Sequence, residues 1–172
     1  MARVSTRENK NIYQLTRENL KLTRETASEL LESIPPERIE KIENERSFPH
    51  PDEVLTMAEK YKKPDLCNYY GANQCPIGQE YVPEVKIKDL SQIVLEMLAS
   101  LNAMNKRKDR LIEITADGKI SDDELEDFLY IQEELERISI TVETLQLWAE
   151  KMLAAGVIDE ARYEAYRSRK KT

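Results

Sequence analysis

The chain is poor in the residues that punctuate a fold and in those that catalyse. Its 172 residues include four glycines, two cysteines, one histidine, one tryptophan and two phenylalanines. Glycine is the default residue for left-handed turns, so so few glycines predict few tight turns and long helices. Two cysteines without a leader sequence fit a reducing compartment, where a structural disulfide is not expected. The lone His50 and the lack of a Ser-His-Asp or Cys-His spacing argue against an enzyme, and no cofactor is expected. No run approaches the ~18 apolar residues that a membrane span needs. The first residues, MARVSTRENKN, lack the apolar stretch of a secretion signal. A cytoplasmic location is therefore expected.

What is present is charge, at 34% of the chain with a net of −7, spread unevenly. Residues 1–64 hold 12 basic and 12 acidic side chains, so the excess acid lies beyond them. Within the first 24 residues, Arg3, Arg7, Lys10, Arg17, Lys21 and Arg24 face only Glu8 and Glu18, a local +4. An acidic protein with one basic end can meet a polyanion through that end.

The chain divides into a head at 1–64, a connector at 65–84 and a helical hairpin at 85–172. Four or five short helices are expected within 8–63. The segment PDLCNYYGANQCPIGQEYVPE holds three of the seven prolines and two of the four glycines, which is turn chemistry. Farther on, Val94, Met97, Leu101, Met104, Lys108 and Leu111 alternate by three and four residues. Leu125, Phe128, Ile131, Leu135, Ile138, Val142, Leu145 and Trp148 do the same. Two long helices broken at Asp117-Gly118 predict an antiparallel pair with these residues as its seam. One partner helix does not cover such a stripe fully. Packing on the head or dimerisation into a four-helix bundle would, and dimerisation is favoured.

Residues 117–124, DGKISDDE, match the second half of a calcium-binding loop. That register puts Glu113 first and Thr115 third, where aspartate or asparagine is wanted. An Asp-Gly turn followed by Ser121 capping the next helix, with Glu124 completing the box, explains every residue without a metal.

Residues 13–61 resemble the XRE family of phage-repressor-like helix-turn-helix regulators. The resemblance rests on Arg17 in the first helix and on Leu22-Thr23-Arg24-Glu25 opening the second, with Thr23 as N-cap. Ile39, Ile42, Glu43 and Asn44 match the third, and Pro51, Leu55, Ala58 and Tyr61 the fourth. It implies an all-α, repressor-like head that binds double-stranded DNA as a homodimer. It also implies that Glu43 pairs with Arg17, and that base edges meet Pro36, Glu37 and Lys41. Phosphates would meet Thr23, Arg24, Asn44 and Arg46, with Arg38 at the flank. The chain departs from the family at Glu32-Ser33-Ile34, where glycine is usual, and at Pro35 and Pro36, where polar residues are. Segment 35–46 is net −1, so a protein-interaction module with a degenerate head, adaptor or antitoxin-like, is the alternative. Cys67 and Cys75, with seven residues between them, fall short of four zinc ligands. Ordinary packing is the first expectation for both, ahead of thiol redox sensing and of metal binding.

Overall fold

The computed structural model describes residues 9–169, which are helical with no strand among them. The helices are α1 Ile12–Asn19, α2 Arg24–Leu31, α3 Pro36–Glu43, α4 Pro51–Lys60, α5 Asp65–Asn73, α6 Pro76–Tyr81, α7 Leu90–Thr115, α8 Leu125–Ala154 and α9 Glu160–Arg169. Two compact units emerge. Among the described residues, one takes 9–84 together with 149–169, and the other takes 85–148.

In the first unit α1 to α4 and α6 each begin on a residue suited to the position. The Asn11 side chain accepts the Gln14 N–H at 3.0 Å and caps α1. Thr23 caps α2 through a reciprocal box with Thr26. Pro36, Pro51 and Pro76 occupy the first positions of α3, α4 and α6, where the missing N–H costs nothing and φ is preset. Helices α1 to α4 end without glycine. Lys21, Glu45 and Lys62 take positive φ after α1, α3 and α4, and the following N–H groups of Leu22, Arg46 and Lys63 close onto Arg17, Lys41 and Ala58. Tight turns are thus made despite the shortage of glycine. The turn from α2 to α3 centres on Glu32, at φ 58° and ψ −46°, with Ser33 N–H on Leu31 O. That is the rare, strained form of the γ-turn.

The apolar faces of these helices meet in one core of Tyr13, Ala27, Leu31, Ile34, Ile39, Ile42, Val54, Met57, Ala58, Tyr61 and Leu66. Leu66 belongs to α5, so the segment read as a connector is a pair of helices that completes the head. Cys67, Tyr69 and Tyr70 pack against the same core. Pro64 and Pro76 stand at helix starts instead of breaking helices, and Pro83 follows the end of α6. Gly78 is needed because a Cβ on it would stand 2.1 Å from the Gly71 carbonyl oxygen, so α6 crosses α5 backbone to backbone.

In the second unit α7 and α8 pack against each other as a hairpin, as expected. Asp127 accepts from Arg107 and Arg110, each at 2.7 Å, and Arg107 lies 4.2 Å over the Tyr130 ring. Gly118, at φ +72°, makes the turn, in the left-handed region glycine favours. Asp117 accepts the Lys119 N–H, and Glu124 accepts from the Ser121 N–H and hydroxyl.

The seam differs from the expected one. Met97, Met104 and Leu111 are partly buried, but Ile93, Ser100 and Ile114 complete the inward row of α7, and Val94, Leu101 and Lys108 face outward. On α8, Ile131 is buried and Phe128, Ile138, Leu145 and Trp148 are partly buried. Leu125, Leu135 and Val142 turn outward in favour of Glu134, Thr141, Thr144 and Leu147. The polar residues can enter because they are satisfied locally. Thr141 and Thr144 donate to the carbonyls of Arg137 and Ile140 at 2.8 and 2.7 Å, and Arg137 donates to Glu134.

Candidate nucleic-acid interface

The site expected to meet DNA is the α2–α3 corner, and its geometry begins with a buried carboxylate. Ile39 and Ile42 anchor α3 in the core, and Glu43, on the margin of their face, is only 2% exposed. Arg17 of α1 holds it in a fork, through Nε and through Nη2 at 3.0 Å. Arg17 also donates to the Leu22 carbonyl at 2.6 Å. Burial works against the Arg17 charge, but its bonds to Glu43 outweigh that and hold it on. The pair implied by the resemblance is present, and it fixes the orientation of α3 against α1.

The structure places the other expected contact residues unequally. Thr23 is the N-cap of α2. Arg24 joins the buried carboxylate, with Nε 2.9 Å from Glu43, and its side chain stays about 31% exposed. Arg38 is fully engaged. It donates to both Glu53 oxygens, to the Ser47 hydroxyl at 2.6 Å and to the Phe48 carbonyl at 3.0 Å, clamping α3 to α4 and to the loop between them. Asn44 is the C-cap of α3 and reaches Glu40. Pro36 opens α3 and is partly buried. Glu37, Lys41 and Arg46 are exposed, with no ion pair among the described residues. Glu37, Lys41 and Asn44 follow one another at four and three residues and so share the outer face of α3.

The basic stretch that precedes this corner is largely spoken for. Arg3 and Arg7 lie outside the described residues. Lys10 pairs with Glu18 at 2.6 Å, and Arg17 and Arg24 share Glu43. Lys21 is the exposed remainder. The surface therefore offers Lys21, Lys41 and Arg46, with Arg24 at the edge.

Sequence reasoning missed Glu53. It takes the Arg38 fork and also the His50 N–H at 2.6 Å. Burial pushes its carboxyl up, but the bonds from Arg38 and His50 reverse that, and its pKa ends below the usual range. The signal was present: Glu53 stands three residues after His50, the spacing of a capping box.

Cys67 and Cys75 are free and partly buried. Burial pushes the Cys67 thiol up, and the Glu150 and Asp65 carboxylates push it further, which disfavours the thiolate that redox or metal chemistry needs. Among the described residues no group of three or more His, Cys, Asp or Glu side chains could hold a metal ion. No helix is long and apolar enough to cross a membrane among those residues. Compared with known proteins, the chain matches no family model, no curated protein and no solved structure.

Proposed function

We propose that the chain is a sequence-specific, DNA-binding transcriptional regulator of the XRE kind, acting as a dimer. One observation carries this reading: the Arg17–Glu43 fork that locks α3 against α1. It sets a short helix with an outward face of Glu37, Lys41 and Asn44 beside the capped start of α2. In this reading Lys41 donates to a guanine edge and Glu37 accepts from a cytosine amino group. Arg46, Lys21, Thr23 and the exposed part of Arg24 meet phosphates. Few phosphate contacts per copy make a monomer weak. Two copies would place their α3 helices about 34 Å apart, one turn of DNA.

The test is fluorescence anisotropy with genomic fragments, including the chain's own upstream region, over a salt series. Tight binding to one fragment is expected, and Lys41→Ala should weaken it. No binding even at low salt would remove the function, and binding without preference would leave an electrostatic role only.

A second reading has its own support. Arg24 and Arg38 are drawn onto Glu43 and Glu53, while Glu37 and Glu45 are exposed. A head with so few outward cations suits a protein-interaction module in which α3 meets a basic partner. Lys41→Ala with Arg46→Ala separates the two, since these changes would abolish DNA affinity and strengthen an attraction to a cationic protein.

A further inference from the structure

The hairpin carries more apolar surface than its seam uses. Val94, Leu98, Leu101 and Ile112 on α7 and Leu135 and Val142 on α8 remain 39–65% exposed. Each follows an inward residue by one position: Ile93, Met97, Ser100, Leu111, Glu134 and Thr141. One position is a rotation of about 100° around the helix axis. Because the two helices run in opposite directions, the same rotation carries both rows to one side of the pair. The exposed residues therefore form one apolar face.

We propose that this outer face docks a second copy of the chain, hairpin on hairpin, and completes a four-helix bundle. The inference deepens the dimeric reading above and rests on it. Half-exposure of six large side chains leaves on the order of 500 Å² of apolar surface from these residues alone. Their surroundings bring that toward the roughly 800 Å² per partner of a standard interface. It also stands at the upper end of what a monomer ordinarily exposes in one patch. Lys108 is the charged member of the outer row, and Asp109, Glu113, Glu136 and Glu143 border that row one position on. The face thus sets one cation within an acidic margin, so Lys108 of each copy has carboxylates of the other to meet.

The experiment is sedimentation equilibrium on the full chain and on two variants. Leu101→Asp with Leu135→Asp places charge at two half-exposed positions in the face. Leu95→Asp places it two residues after Ile93, about 100° beyond the row of Val94 and past its margin, at a position 67% exposed. The wild type is expected to be a dimer at micromolar concentration. The double variant should keep its helicity by circular dichroism and weaken the dimer at least about tenfold, while Leu95→Asp leaves it unchanged. If the double variant loses helicity, a photo-crosslinker at Leu98 reads the same contact and should give a covalent dimer. A monomeric wild type, a dimer indifferent to the double variant, equal loss in Leu95→Asp, or no crosslink at Leu98 would each overturn the inference. A dimer that behaves as expected but binds no DNA would uphold this face and remove the DNA reading.

Discussion

At the residue scale, the head is held by a few polar groups in unusual settings. Glu43 is the clearest. Removing the carboxylate charge strands Arg17, so Glu43→Gln is expected to cost about 3 kcal/mol or more in denaturant unfolding. Replacing both partners with apolar residues should recover much of that loss. Glu32 is strained in the opposite sense. Its positive φ costs a non-glycine residue ~1–2 kcal/mol, and glycine gives back ~0.5–1 as chain entropy. Its exposed pair with Lys60 contributes little. Glu32→Gly should therefore stabilise the head by roughly 0.5–1 kcal/mol, and a lower melting temperature would refute the strain. Glu53 supplies a pH dependence. Its pKa is lowered on folding, so its contribution is full above the ordinary glutamate range near ~4.3 and is lost as pH falls through the folded value. Acid unfolding should be shallower in Glu53→Gln than in the wild type. The Arg17–Glu43 pair was legible through the resemblance. The capture of Arg24 and Arg38 was not, because spacing along a chain does not say which of several cations reaches a given carboxylate.

At the element scale, α1 to α4 and the α7–α8 hairpin were legible, α5 and α6 were not, and the surfaces of the long helices were legible only in part. Apolar period, caps and helix-starting prolines mark α1 to α4 directly. The segment at 65–84 reads as a connector from its proline and glycine, yet those residues serve helices there. Pro64 stands just before α5, Pro76 begins α6, and Gly78 permits a close helix crossing. Gly78→Ala is expected to unseat α6 from α5 and to lower stability by several times the ~1 kcal/mol that a glycine-to-alanine change gains in an open helix. An unchanged melting curve would contradict the close approach. The seam of α7 and α8 was off by one residue on part of each helix. The apolar residues occupy an arc wider than one partner covers, so period alone fits both the inner and the outer row. Local satisfaction of Thr141 and Thr144 permits the inner row of α8 to be partly polar.

At the scale of the whole molecule, the net charge of −7 opposes any approach to a polyanion. Ion pairs within the head reduce its free cations further. If DNA is the partner, the electrostatic share of binding rests on the few cations left outward, and their number sets the salt dependence. Each phosphate contact contributes a slope of about 0.9 in log K against log salt. With Lys21, Arg24 and Arg46 as phosphate contacts in each copy, a dimer should show a slope of roughly 5. The most direct measurement is anisotropy on the preferred genomic fragment across a salt series, for wild type and Lys41→Ala. A saturable, fragment-specific complex with that slope, weakened by about 1–3 kcal/mol and relaxed in specificity by Lys41→Ala, is expected. No fragment-specific complex at low salt, or one indifferent to Lys41→Ala, would contradict a DNA-reading role for α3.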